Sequence, residues 1–84
     1  MNTKQRATLA KIFATPTPKD IPWTDIESLM RALDAQVLQR EGSRVRFVLG
    51  GVVAVLHEPH PERHTPMTSV RQVRIFLERA GVHP

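Results

Sequence analysis

The chain contains no cysteine. This absence excludes disulfides, thiolate nucleophiles and cysteine-based zinc sites, and it is consistent with a reducing compartment. No apolar run approaches the roughly 20 residues that a membrane-spanning helix requires. The N-terminus also lacks the apolar segment of a secretory signal. We therefore expect a cytoplasmic protein that does not cross a membrane.

Aromatic residues are scarce, at 5% of the 84 residues. Their scarcity argues against a surface that binds single-stranded nucleic acid by stacking its bases. Glycine-rich phosphate loops and the Gly-x-Ser-x-Gly sequence of serine hydrolases are also absent. What the chain does have is a basic balance, with a formal net charge of +4. Such a balance favours an anionic partner, either nucleic acid or an acidic protein, although many small basic domains bind neither.

The strongest local signal is the Gly50-Gly51 pair, which two alternating runs rich in valine and leucine flank. This pattern predicts a β-hairpin with a two-residue turn. Counting outward from the turn places Arg44 opposite His57, and opposed residues share a face of the sheet. The predicted apolar face consists of Val45, Phe47, Leu49, Ala54 and Leu56, and the other face carries Arg44, Arg46 and His57. An arginine opposite a histidine on an open face is suited to handling a phosphate diester.

Residues 3–14 place Leu9, Ile12 and Phe13 on one narrow stripe, which predicts a short helix. The prolines that follow end this helix, because proline lacks an amide donor and clashes with the preceding turn. We expect residues 1–22 to form an appended helix on a stiff, extended connector and residues 23–84 to form the main domain. The apolar stripe is expected to pack on the main domain or on a partner.

Two further helices are predicted on either side of the strands. The first has Thr24 as its N-cap, with Glu27 completing a capping box. The second has Ser69 as its N-cap and Gln72 in the same role, and Gly81 suits the left-handed position after its end.

Residues 36–40 predict a first strand, and Glu41-Gly42-Ser43 is the expected turn into the hairpin. Both helices must cover the apolar face of the sheet, since the other face is charged. The predicted fold class is a two-layer α+β domain of order αβββα. It has a three-stranded antiparallel sheet, two helices on one face and an extra N-terminal helix.

The element order, together with the segment Gly42-Ser43-Arg44-Val45-Arg46-Phe47, resembles the HicA family of bacterial toxins. The usual family pattern at this segment is Gly-Ser-His-x-x-Phe, followed by a loop with Pro-His and a closing helix that ends in Ala-Gly-aliphatic. Pro59-His60-Pro61 and Ala80-Gly81-Val82 are similar to those two features, and the likeness covers about residues 23–82. The resemblance implies a fold like that of double-stranded-RNA-binding domains. It also implies metal-independent cleavage of messenger RNA and control by a HicB-type antitoxin.

This sequence departs from the family at the catalytic histidine, whose position is held by Arg44. Arginine stays protonated at neutral pH and cannot act as a general base. We therefore expect His57, opposite Arg44, to take over the role of the displaced histidine while Arg44 holds the phosphate. The alternative is that His57 is a surface histidine at a strand end without a catalytic role.

The predicted RNA-binding residues are basic side chains of the open face, the proline-rich loop and the last helix: Arg40, Arg46, His60, Arg63, Arg71 and Arg74. We expect them to contact mainly phosphate and sugar. His57, His60 and His64 have spacings that suit metal ligands on a helix, but the surrounding prolines prevent a helix here. No metal and no other cofactor is therefore expected.

Three functions remain open from the sequence. The first is the toxin of a type II toxin–antitoxin system, which binds and cleaves messenger RNA. The second is a catalytically inactive relative that binds RNA or a partner protein. The third is an interaction domain whose N-terminal helix docks on another protein.

Overall fold

The computed structural model describes residues 1–60 and 63–84, without the side chains of Gln39 and Arg40. Its elements in chain order are α1 (Thr3–Ile12), α2 (Trp23–Ala32), β1 (Gln36–Glu41), β2 (Arg44–Leu49), β3 (Val52–His57) and α3 (Met67–Arg79). The strands form one antiparallel sheet in the order β1-β2-β3. The predicted α+β class, the αβββα order and the extra N-terminal helix are confirmed.

The β2–β3 hairpin has the predicted register throughout, from Leu49 opposite Val52 to Arg44 opposite His57. Gly50 and Gly51 both have positive φ, at 56° and 79°. Two consecutive residues in this region are the backbone requirement of a tight type I′ turn, and glycine meets it at little steric cost. The turn chemistry thus fixes which side chains share a face.

The turn between β1 and β2 is shorter than predicted. Glu41 is the last residue of β1 and pairs with Arg44, so only Gly42 and Ser43 form the connection. Gly42 has a φ of 60°, again in the left-handed region. A register shift between Val37 and Gln39 marks a β-bulge in this strand. The structure therefore adds Glu41 to the sheet, in the same row as Arg44.

A single hydrophobic core lies between one face of the sheet and the helices. Val45, Phe47 and Leu56 supply its sheet side, and each is 1% exposed. The helical side consists of Leu9, Ile12, Trp23, Ile26, Leu29, Met30, Val70, Val73, Phe76 and Leu77, with Ile21 from the connector. All of these side chains meet one sheet face, so the opposite face has no helix over it among the described residues. We call this second surface the open face; it carries Arg44, Arg46, Val48, Val53, Val55 and His57.

Helix α1 packs on the main domain instead of standing apart on its connector. Leu9 and Ile12 are buried in the common core, and Phe13 packs against it. Arg74 of α3 reaches the end of α1, where its Nε donates to the carbonyl of Ile12 at 2.8 Å. Its Nη2 donates to the carbonyl of Ala14 at 3.2 Å and to Thr17 Oγ1 at 3.1 Å. A helix C-terminus leaves carbonyls unsatisfied, and a cation there is favourable.

The predicted capping boxes at Thr24 and Ser69 are wrong. Helices α2 and α3 start at Trp23 and Met67, with Pro22 and Pro66 as N-caps and no side-chain cap hydrogen bond. Each proline is extended in ψ, so its carbonyl can accept the first intrahelical bonds. A true capping box occurs at α1 instead, between Asn2 and Gln5.

Helix α3 ends as predicted, with Gly81 at a φ of 80° directly after the C-cap residue Ala80. The amide of Val82 donates to the carbonyl of Leu77 and the amide of Gly81 to that of Glu78, which is a Schellman motif. The longest helix has 13 residues, and no helix in the described part of the chain is long and apolar enough to span a bilayer.

The contacts of Arg74 predict that this side chain stabilises the docked position of α1. We expect Arg74→Ala to lower the free energy of unfolding by about 2 kcal/mol, because it removes charge-assisted hydrogen bonds to half-buried carbonyls. Urea denaturation followed by circular dichroism measures this change. Arg71→Ala is the matched control on the same helix: this side chain is exposed, and its loss should change stability by no more than about 0.5 kcal/mol. Equal effects of the two substitutions would contradict the role of Arg74.

Candidate functional site

A row of charged and polar side chains crosses the open face at one end of the sheet. Glu41 of β1 pairs with Arg44 of β2, which in turn pairs with His57 of β3. All three residues are exposed. Because directly opposed residues on neighbouring strands lie about 5 Å apart at Cβ, a carboxylate, a guanidinium and an imidazole are side by side. The predicted placement of Arg44 beside His57 is therefore present.

Ser43 adds a hydroxyl to this row. Its Oγ lies 3.4 Å from Nδ1 of His57. The backbone holds the two residues together as well, since the amide of Glu58 donates to the carbonyl of Ser43 at 2.6 Å. When Nδ1 carries the proton and donates to Ser43, Nε2 of His57 is the free lone pair. This tautomer presents a proton acceptor to the solvent side of the sheet.

The end of β3 is tied to the core through Glu58. Its Oε1 accepts a hydrogen bond of 3.1 Å from Nε1 of Trp23, and Trp23 is 1% exposed. Trp23 also packs against Phe47 on the covered face, with ring centroids 6.3 Å apart. A buried indole N–H requires a partner. The hydrogen bond therefore satisfies the indole and also positions the residue that follows His57.

A shallow depression of about 90 Å³ lies next to Arg44, with Glu41, Val45, Arg46 and Val55 around it. Ligand pockets for drug-sized molecules occupy about 300–1,000 Å³, so this depression is too small for a nucleoside. The charged lining consists of two arginines and one glutamate, so one positive charge remains in excess for a phosphate-sized group.

The remaining predicted residues fall into separate places. Arg46 is exposed on the open face, one pair along from Arg44. His60 and Arg63 are exposed in the loop after β3, where the amide of Arg63 donates to the carbonyl of His60 at 2.8 Å. Pro61, part of the Pro-His-Pro sequence, lies outside the described residues. His64 forms an isolated bridge with Pro22.

For three of the predicted RNA-binding residues, the structure does not show a side chain on the open face. Arg40 pairs with Val45 through its backbone, but its side chain lies outside the described part of the chain. Arg71 is exposed on α3, in the helical layer behind the sheet. Arg74 is in the same layer, and its guanidinium is engaged by the end of α1. The structure thus separates the arginines of α3 from Arg44 and Arg46.

Within residues 1–60 and 63–84, no group of three or more histidine, aspartate or glutamate side chains has the arrangement of a metal site.

The sequence did not lead us to expect Glu41 in the row, or Ser43 and Glu58 beside it. A signal for the first two was present: a two-residue Gly42-Ser43 turn would have extended β1 to Glu41 and paired Ser43 with Glu58. The Trp23–Glu58 hydrogen bond joins residues 35 positions apart, and no local pattern indicates it.

The Trp23–Glu58 hydrogen bond predicts a large difference between two substitutions of Glu58. Glu58→Ala leaves a buried N–H unpaired and should cost about 1–3 kcal/mol of unfolding free energy. Glu58→Gln keeps a carbonyl oxygen that can accept from Trp23 and should cost clearly less. Urea denaturation measures both, and the indole N–H proton resonance reports the bond directly. If Gln and Ala destabilise equally, the contact with Trp23 does not anchor β3.

Comparison with known proteins gives one family assignment. Residues 23–82 match the family described as HicA toxin of bacterial toxin-antitoxin. The matched segment includes the whole sheet, α2 and α3, and leaves α1 and its connector outside. No curated protein and no solved structure gives a significant match. Since the matched residues are well over half of the chain, and since the fold has the order that the resemblance implied, the protein belongs to the HicA family of toxins from bacterial toxin–antitoxin systems.

Proposed function

We propose that this protein is the toxin of a type II toxin–antitoxin pair and that it binds RNA on the open face and cleaves it without a metal. His57 is the general base and Arg44 holds the phosphate. The observation that carries this proposal is the position of His57 directly opposite Arg44 on neighbouring strands, with Ser43 Oγ at 3.4 Å from its Nδ1. Family membership supports the toxin role in general.

The proposed reaction is an internal displacement at a phosphate diester of RNA. Nε2 of His57 takes the proton of the ribose 2′-hydroxyl, and the 2′-oxygen forms a bond to phosphorus. The bond between phosphorus and the 5′-oxygen breaks, and that oxygen leaves with a proton from solvent. The products are a 2′,3′-cyclic phosphate and a 5′-hydroxyl end. Histidine suits the first step because its ordinary pKa lies near neutrality.

Arg44 has a different task in this scheme. Negative charge develops on the nonbridging oxygens while the phosphorus is five-coordinate, and a guanidinium binds two such oxygens at once. Arg46, one pair along β2, continues the cationic surface toward the adjacent phosphate. Ser43 is a positioning residue, because its hydroxyl acts on the ring of His57 and does not touch the RNA backbone in this scheme.

A second candidate function is RNA binding without cleavage. Arg44 at the family's histidine position favours it, since the residue type that the family uses for proton transfer is missing there. His57 belongs to the next strand, and no family pattern assigns it a role. The two functions share the open face as the RNA surface and differ only in whether His57 moves a proton.

Substitution of His57 separates the two functions. If His57 is the base, His57→Ala should reduce cleavage of a defined RNA by about 100- to 10,000-fold, the usual range for general base catalysis. Single-turnover assays on a 5′-labelled RNA in the presence of EDTA measure the rate. The matched control is His83→Ala: this histidine lies beside Phe13, with ring centroids 6.1 Å apart, and its loss should leave the rate within twofold.

A companion substitution at position 44 tests the inactive alternative. Arg44→His restores the Gly-Ser-His sequence of the family. If the natural protein does not cleave RNA and Arg44→His does, the chain is a binding module and the proposed role of His57 is wrong. If the natural protein and Arg44→His both cleave RNA, and His57→Ala abolishes the activity of the natural protein while His83→Ala does not, the proposal stands.

The position of the open face also predicts which arginines contribute to the salt dependence of RNA binding. In the His57→Ala background, which removes turnover, log K should fall linearly with log salt concentration. Arg46→Ala should reduce the magnitude of that slope by about 1, the contribution of one phosphate contact. Arg71→Ala should leave the slope unchanged, because Arg71 lies in the helical layer. Fluorescence anisotropy at several salt concentrations gives the slopes. If Arg71→Ala changes the slope and Arg46→Ala does not, the RNA binds to the helical layer and the proposed RNA surface is wrong.

A further inference from the structure

The outer edge of the sheet at β3 is unusually apolar for an exposed strand. β3 has the sequence Val-Val-Ala-Val-Leu-His and contains no Asp, Glu, Lys or Arg. Val53 and Val55 are 56% and 42% exposed on the open face. β3 is also the last strand in the sheet order, and no fourth strand pairs with it among the described residues. Long apolar edge strands promote pairing with other chains, and proteins usually protect them.

The direction of the backbone groups of β3 follows from the hairpin. The amide of Glu58 bonds inward to the carbonyl of Ser43. In an antiparallel pair the direction of these groups alternates along a strand. The N–H and C=O groups of Val53, Val55 and His57 therefore point away from β2, toward the free edge. They form a ready ladder for one additional strand.

The other edge of the same sheet shows the protection that β3 lacks. β1 is interrupted by a bulge between Val37 and Gln39. It ends in two charged residues, Arg40 and Glu41. Bulges and charges are the usual means by which a sheet edge is kept from pairing. Both edge strands expose apolar side chains, since Val37 and Leu38 of β1 are 46% and 58% exposed, so the two edges differ in the bulge and the charged residues that β3 lacks.

We propose that the β3 edge binds an extended segment of another protein, which adds as a fourth strand and carries apolar side chains beside Val53 and Val55 and acidic side chains beside His57. Charge complementarity selects this occupant. Arg44 and Arg46 lie one strand away on the same face, and the chain has a net charge of +4. A second copy of the chain would bring the same cations together on one continuous face. RNA cannot pair with a backbone ladder.

Such a strand would also regulate the site. It would lie directly beside His57 and one strand away from Arg44, where the phosphate of RNA is proposed to bind, and its carboxylates would compete with that phosphate for the cationic open face. This consequence rests on the proposed function, whereas the docking itself does not. A protein partner that adds to β3 would thus exclude RNA without contacting the helical layer.

The docking is tested with a synthetic peptide and the full-length protein. The probe is a blocked peptide that equals β3 in length, begins with two glutamates and continues with alternating threonine and valine, so that antiparallel pairing puts its acidic end beside His57. On addition of the peptide, the ¹⁵N–¹H resonances of Val53, Val55 and His57 should shift more than those of α3. Val55→Pro removes one outward N–H and leaves the bonds to β2, so it should weaken binding at least tenfold. Val55→Thr keeps that N–H and a strand-forming side chain, and it should bind as the natural protein does.

Two further peptides keep the test decisive even if Val55→Pro fails to fold. A peptide methylated at every amide nitrogen cannot form the ladder and should not bind the natural protein. The second peptide is unmethylated and has lysines in place of the two glutamates. It should bind at least tenfold more weakly than the original peptide if the acidic end contributes to binding. Absence of β3 shifts at millimolar peptide, or binding of the methylated peptide, would overturn the proposal.

The competing occupant has its own signature. If sedimentation shows that the protein alone is a dimer at micromolar concentration and Val55→Pro makes it a monomer, the edge binds a second copy and the proposed partner is wrong. The RNA assays report separately. His57→Ala can lose cleavage while the peptide still binds, and peptide binding can fail while cleavage persists. The docking proposal and the proposed function can therefore fail independently of each other.

Discussion

The pairing of β2 with β3 through the Gly50-Gly51 turn is the constraint on which the rest of the structure depends. Side chains alternate between the faces of a sheet, so a shift of one residue would exchange every side chain of β3 between the core and solvent. With the observed register, Val45, Phe47 and Leu56 complete the core. The same register places His57 opposite Arg44. One turn therefore fixes both the core and the candidate site, because a change in the register of β3 would alter both together.

The helical layer depends on a different kind of contact. Helix α1 lies outside the segment that matches the family, yet Ile12 is fully buried in the common core. Arg74 joins the end of α1 to α3 through hydrogen bonds to main-chain carbonyls. A guanidinium that donates to carbonyls at a helix C-terminus compensates groups that would otherwise lack partners. A polar contact together with apolar burial thus holds α1, which lies outside the matched segment, on the domain.

The parts of the fold that follow from local rules could be predicted from the sequence, and the parts that depend on distant contacts could not. The hairpin register follows from glycine conformation and from counting, and Gly81 ends α3 by the same conformational rule. The predicted N-caps of α2 and α3 lie two and three residues after the observed ones, because Pro22 and Pro66 serve as N-caps with their backbone alone. The Trp23–Glu58 hydrogen bond and the contacts of Arg74 connect distant positions that no periodicity links. At the candidate site, the pairing of Arg44 with His57 was predictable and the Gly42-Ser43 turn signalled the position of Ser43, whereas the hydrogen bond between Glu58 and Trp23 was not predictable.

Arg44 stands where the resemblance to the HicA family led us to expect a histidine. It leaves His57, on the edge strand β3, as the imidazole of the row. The central strand β2 has a neighbouring strand on each side, whereas β3 pairs on one side only within residues 1–60 and 63–84. A side chain on an edge strand is held less rigidly by the sheet than one on the central strand. The contact between His57 and Ser43 and the hydrogen bond of Glu58 with Trp23 therefore have a larger part in the orientation of His57. It is also the side of the sheet that an added strand would contact first. If both proposals hold, the residue proposed to transfer the proton is also the one nearest the proposed docking edge.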